Sequence, residues 1–147
     1  MLDTYRIKTR IEEIRQRLDV LEQNFKNIPE DKFLKDFRLN AEAEHHLQVA
    51  IQACIDIANH IVAVFGLERP AEKTSEVFEV LAKEKIIPEK FLPVMKDMTG
   101  YRNVVVHDYL TVKRRITYNN IQNHLVDLSH FAKYIEEFLE KQTSSKS

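Results

Sequence analysis

Apolar residues recur along the chain at alternating steps of four and three. From Ile7 the positions Ile7, Ile11, Ile14, Leu18, Leu21 and Phe25 follow this rhythm with charged residues between them, which predicts one amphipathic helix. Pro29 breaks the pattern between Asn27 and Asp31, and a short turn near Phe33 leads into a second, longer stripe of Leu39, Ala43, Leu47, Ala50, Cys54, Ile57, Ile61 and Phe65. Gly66 stands where a left-handed cap would end that helix. After the Glu68-Arg-Pro70-Ala connection, Thr74 or Ser75 is suited to cap a short third helix with Val77, Phe78 and Leu81 inward, closing at Lys83-Glu-Lys85. Pro88 suits the first turn of a fourth helix, whose start Pro93 can bend and whose buried face would be Val94, Met98, Tyr101 and Val105. Thr111 is then expected to cap one last long helix with the stripe Ile121, Leu125, Leu128, Ala132, Ile135 and Leu139.

Stripes near 3.5-residue spacing on three long helices predict shallow antiparallel packing: an all-α, up-and-down bundle of five to six helices in a single domain. The expected domain is residues 1–141, with a disordered tail at 142–147. Two glycines and four prolines in 147 residues leave few turns, which agrees with few, long elements. The one cysteine, Cys54, excludes an internal disulfide and falls on the core stripe as a small hydrophobe. No signal peptide and no bilayer-length apolar run stands out, so a reducing cytoplasm without membrane association is expected. At net charge -1 the chain is not a general nucleic-acid coat, and any phosphate binding has to be local.

Candidate chemistry concentrates in Arg102-Asn103-Val-Val-Val-His107-Asp108-Tyr109. Arg-x4-His alone is weak: nine arginines and six histidines would produce roughly 0.4 such pairs by chance. The Asn directly after the Arg and the Tyr two places after the His make chance a poor account. Histidine is the side chain able to take up a proton near neutrality, so His107 is the candidate base. A permanently charged, planar guanidinium suits a phosphate and the added charge of its transition state, which makes Arg102 the candidate stabiliser. At about 100° per residue, Asn103 and His107 lie one turn apart on one face, so Asn103 can orient His107 or bind phosphate. Arg102 and His107 diverge by about 140° on an ideal helix, which favours a composite site made by two copies of the chain.

The segment from Met98-Thr-Gly100-Tyr101 through Arg102-Asn103 to His107-Asp108-Tyr109 resembles the signature of HEPN-superfamily proteins of the HepT toxin type. Helix order, Arg38 near the start of the long second helix, Ile-Ala-Asn-His60 near its end, and the final Leu125-x-x-Leu128-x-x-Phe131 helix extend the likeness over most of the chain. The resemblance implies a metal-independent endoribonuclease without a cofactor, acting as a homodimer in which the Arg and His of both subunits meet in a cleft. It further implies restraint by an antitoxin of the MNT nucleotidyltransferase type, with Tyr109 as the cleft residue that such a partner modifies with AMP. The alternative is a non-catalytic bundle of the same family, serving as an RNA- or nucleotide-binding adaptor subunit of a nucleotidyltransferase.

Lys113, Arg114 and Arg115 raise the interval 102–115 to net +3. They are RNA-binding candidates together with Arg38, or else members of a surface turn pairing with nearby carboxylates. Arg38 and His45 form a second pair on one helix face, without an accompanying Asn or Tyr. Glu42-x-x-His45 and Asp127-x-x-His130 mimic the ligand spacing of di-iron bundles, but their register turns them off the core stripes, so no metal site is expected. His60 and His124 read as polar edges of the bundle, and a purely structural or adaptor bundle is the remaining rival.

Overall fold

Asp36 starts the longest helix of the chain. Its carboxylate accepts hydrogen bonds from the backbone N–H groups of Arg38 and Leu39, an N-cap that satisfies two donors a helix start leaves free. The computed structural model describes residues 2–67, 75–107 and 110–145. Among these, seven α-helices form: α1 (Thr4–Asn24), α2 (Glu30–Lys35), α3 (Phe37–Val64), α4 (Glu76–Lys83), α5 (Leu92–His107), α6 (Leu110–Asn123) and α7 (Leu125–Ser145), with a 3-10 turn at Glu89–Phe91. No strand occurs among the described residues. The all-α helical domain is therefore as expected, but more finely divided than five to six helices.

The extra division falls at His124. One apolar stripe runs through Ile121, Leu125 and Leu128, all buried, so periodicity alone reads as one helix. The backbone bends at His124, whose Nδ1 meets Asp127 Oδ2 at 2.9 Å, and that carboxylate sits in the first turn of α7, where it complements the helix dipole. Thr111 lies inside the first turn of α6, which begins at Leu110, and is not its cap. At the far end α7 continues past Gln142 to Ser145, so helix occupies most of the expected tail. Thr74 and the 68–73 connection lie outside the described residues; Ser75 precedes α4 without a side-chain capping bond.

The predicted α1 stripe is buried in full, and so is that of α7. Each such Leu, Ile or Phe contributes about 1.5–3 kcal/mol. On α3, Leu39 is half-buried and Phe65 is 43% exposed, its ring meeting Phe138 edge-on; in α5, Met95 takes the buried place expected for Val94. A second buried stripe on α3, Ile51, Ile55, Ala58 and Val62, makes it the central helix of the bundle. Helices α1 and α3 are antiparallel neighbours: the backbone N–H of Asp3 donates to His60 Nε2 at 3.0 Å, Arg10 pairs with Asp56, and Arg17 donates to His46 Nδ1 at 3.1 Å. By length and composition α3 is apolar enough to cross a membrane, contrary to the sequence expectation, but 56% of its most apolar window is buried inside the bundle, as in a core helix.

α6 is anchored along the segment between α1 and α3. Arg114 donates to the Leu34 carbonyl at 2.7 Å, Tyr118 to that of Ile28 at 2.9 Å, and Gln122 to that of Lys26 at 2.8 Å. These bonds satisfy carbonyls in a stretch that α2 only partly orders.

Two helix ends use the same six-to-one and five-to-two bonding. After α3, Leu67 N–H donates to the Val62 carbonyl and Gly66 N–H to that of Ala63, with Gly66 at φ 62° as expected. After α4, Ile86 donates to Leu81 and Lys85 to Ala82, but the left-handed residue is Lys85 at φ 61°. A Cβ there is strained, so Lys85→Gly is expected to stabilise the fold by about 1 kcal/mol in urea unfolding.

The histidines on the α1–α3 seam predict a pH response. Burial, then the positive charge of Arg17, holds the His46 pKa below its ordinary 6.5; burial, then Arg6, does the same to His60. Both ring nitrogens accept hydrogen bonds in the neutral form. As pH drops through 6.5 and below, the unfolded chain therefore takes up protons that the folded chain refuses, and stability is lost. The melting temperature should fall between about pH 7.5 and pH 5.5, and a His46→Gln, His60→Gln variant should show a flatter profile.

Candidate functional site

α5 carries the Arg102–His107 segment because its inner face is apolar and its outer face is not. Met95, Met98, Tyr101 and Val105 are buried, whereas Arg102 is half-buried and Asn103 exposed. The helix is unbroken from Leu92 to His107, so the divergence of about 140° between Arg102 and His107 stands. Asn103 precedes His107 by one turn, and His107 is the final residue of α5. The His107 side chain, and Asp108 and Tyr109 entirely, lie outside the described residues. Among those described, no hydrogen bond or ion pair engages the Arg102 guanidinium or the Asn103 amide.

Beneath this segment lies a polar clasp. Thr117 Oγ1 donates to the Lys113 carbonyl at 2.9 Å, so its oxygen is left to accept from the Tyr101 hydroxyl at 2.7 Å. Burial pushes the Tyr101 pKa far up; the Thr117 bond opposes this and the Glu44 charge adds to it, and the phenol stays protonated as the donor. Glu44 reaches from α3 with its side chain 13% exposed, and its Oε1 stands 2.8 Å from Lys113 Nζ, 24% exposed. The contact is aligned as an ion pair, not a hydrogen bond, since that oxygen has no hydrogen-bond partner among the described residues.

This arrangement divides the basic cluster. Lys113 faces Glu44, and Arg114 donates to the Leu34 carbonyl with its Nε buried, so two of the expected RNA-binding cations have partners within the fold. Arg115 is exposed and open to a ligand. Arg38 and His45 are both exposed on α3, and Phe37 beside Arg38 is 69% exposed.

The di-iron-like spacings do not assemble. Glu42 faces His46 Nε2 at 3.6 Å and not His45, and Asp127 is held by His124 and not His130. Among the described residues no group of three acid, His or Cys side chains could hold a metal ion.

Sequence reasoning missed Glu44 and Thr117. The available signal for Glu44 was its place at the head of the second α3 stripe, seven residues before Ile51, where a carboxylate on a core face needs a partner.

The family model for ribonuclease HepT-like proteins matches residues 7–135. The mRNA nuclease HepT of Shewanella oneidensis is 35% identical over 71% of this chain and 78% of that protein. The tRNA nuclease HepT of Aphanizomenon flos-aquae is 36% identical over 70% and 69% of the two chains. Among solved structures, the tri-AMPylated Shewanella oneidensis HEPN toxin in complex with MNT antitoxin superposes with a TM-score of 0.81 at 31% identity, covering 93% of this chain and 99% of that one. A toxin–antitoxin structure with AMP-PNP gives a TM-score of 0.82 at 30% identity, over 91% and 99% of the chains.

Proposed function

We propose, from the premise that this chain belongs to the ribonuclease HepT-like family, that it is the toxin of a HepT and MNT-type toxin–antitoxin pair and cleaves RNA by metal-independent transesterification at a site shared by two copies of the chain. The enzyme class follows from the family: the chain is an endoribonuclease. The observation that carries the mechanism is the unbroken helix through Arg102, Asn103 and His107, on which the arginine and the amide, half-buried and exposed, have no hydrogen-bond or ion-pair partner among the described residues.

In this reading His107 removes the proton of the RNA 2′-hydroxyl, and that oxygen attacks the adjacent phosphorus. The P–O5′ bond breaks, giving a 2′,3′-cyclic phosphate and a 5′-hydroxyl, and His107 of the second copy protonates the leaving oxygen. Arg102 stabilises the negative charge gathered on the phosphorane, which a guanidinium does with two parallel hydrogen bonds. Asn103 orients His107 or holds a phosphate oxygen. Since Arg102 and His107 diverge on α5, the antiparallel meeting of two such helices is the simplest way to surround one phosphate with both groups.

Arg115 and Arg38 are the proposed contacts to the RNA backbone, being exposed where Lys113 and Arg114 are not free. Tyr109 is the proposed acceptor of AMP: its hydroxyl attacks the α-phosphate of ATP on the antitoxin and pyrophosphate leaves. Support comes from a relative that is a tri-AMPylated toxin in complex with MNT antitoxin. The reducing cytoplasm, where RNA and ATP are both present, is the proposed place of action, with Cys54 buried as a thiol.

Cleavage of total RNA by the unmodified protein in excess EDTA tests this reading. Wild type should leave 2′,3′-cyclic phosphate ends, and His107→Ala should lose about 10²–10⁴-fold in rate while keeping its fold and dimer. Arg102→Lys should also lose rate, because a point charge does not replace a fork. RNA left intact by protein free of AMP at Tyr109 would remove the catalytic claim in favour of an RNA- or nucleotide-binding subunit.

A further inference from the structure

We infer that Glu44 and Lys113 are positioning residues of the nuclease site, an ion pair that holds the end of α5 and the start of α6 in the register cleavage requires. This rests on the reading of Arg102 and His107 as the reacting groups. It reverses the role that charge alone suggests for Lys113, which faces a protein carboxylate and not RNA.

Three observations place the pair there. Glu44 Oε1 is fully buried, and Lys113 Nζ at 2.8 Å is the cation beside it. A carboxylate in that position is stable only with its charge compensated, so the pair fixes the first turns of α6 against α3. Secondly, the Lys113 carbonyl accepts from Thr117, whose oxygen accepts from Tyr101, the residue directly before Arg102. The chain of contacts thus runs from α3 through α6 to α5 and ends at the backbone that bears the arginine. Thirdly, Lys113 follows His107 by only six residues in sequence and lies in the first turn of α6, the helix that comes after α5.

Apolar packing would hold α5 and α6 together but would tolerate small rotations, because methyl surfaces slide more freely than an ion pair and a buried hydroxyl chain. Misplacement by about 1 Å is enough to cost a nuclease much of its rate. The surface of Lys113 that an RNA phosphate would need is turned instead toward Glu44, with the side chain 24% exposed.

Steady-state cleavage of a short RNA by wild type, Glu44→Gln, Lys113→Met and the charge swap Glu44→Lys with Lys113→Glu tests the inference. Each single variant should lower kcat about tenfold per folded molecule with KM within about twofold, the double Glu44→Gln, Lys113→Met should be no worse than either, and the swap should recover part of the loss. If Glu44→Gln fails to fold, Glu44→Asp, which keeps the charge but withdraws it by one methylene, should lower kcat about threefold at unchanged KM. A Lys113 that instead contacts RNA would raise KM, weaken the salt dependence of binding by about one unit of slope, and leave Glu44→Gln with normal kcat; that pattern overturns the inference. Should wild type cleave no RNA, the nuclease reading fails by itself, and the clasp is judged by amide exchange across residues 101–107: faster exchange in Glu44→Gln upholds it, and unchanged exchange overturns it.

Discussion

Burial of α3 on two sides is the constraint from which the rest of this bundle follows. A helix with one apolar stripe can lie on a surface, but α3 carries Ala43, Leu47, Ala50, Cys54, Ile57 and Ile61 on one stripe and Ile51, Ile55, Ala58 and Val62 on another, all buried. It must be enclosed. α1, α4, α5, α6 and α7 all pack against it, and the antiparallel seam with α1 carries polar contacts at three levels: Asp3 with His60, Arg10 with Asp56, and Arg17 with His46. The same apolar length that would suit a bilayer is used here to make a core.

That enclosure explains how the candidate catalytic segment comes to sit on a helix with a narrow apolar face. α5 does not need a wide apolar face of its own, because Met95, Met98, Tyr101 and Val105 dock into a surface α3 already provides. Its outer face is released for Arg102 and Asn103. Toward its C-terminal end, Tyr101 joins the polar clasp of Thr117, Lys113 and Glu44, which links α5 through α6 to α3. Specific orientation of this kind is what buried polar contacts contribute beyond their modest net stability.

The basic cluster shows why charge in a sequence is an incomplete guide to ligand binding. Lys113, Arg114 and Arg115 are consecutive, yet on a helix they point in three directions about 100° apart. One meets a carboxylate, one a carbonyl, and one solvent. Only the last is placed as an exposed cation, and the acid that neutralises Lys113 lies far away in sequence on α3.

Helix class, the inward faces of α1, α4 and α7, the glycine cap after α3 and the Arg-Asn-x3-His-x-Tyr signature were all legible in the chain, because each depends on residues within a few turns of one another and on side-chain types with particular chemistry. The bend at His124 was not, since an apolar stripe runs through it unchanged while the break depends on a hydrogen bond to Asp127 and on the docking of α6 against the segment after α1. Nor was the left-handed Lys85, which closes the end of α4 with its N–H on the Ala82 carbonyl where local preference asks for glycine. The partners of Glu44 and Arg114 were equally beyond local reading, because Lys113 and Leu34 are brought to them only when α3, α6 and α2 pack. Short-range periodicity and the identity of reactive side chains are properties of the sequence itself; which buried charge finds which partner is decided by tertiary structure, since it depends on helices distant in the chain arriving at one place.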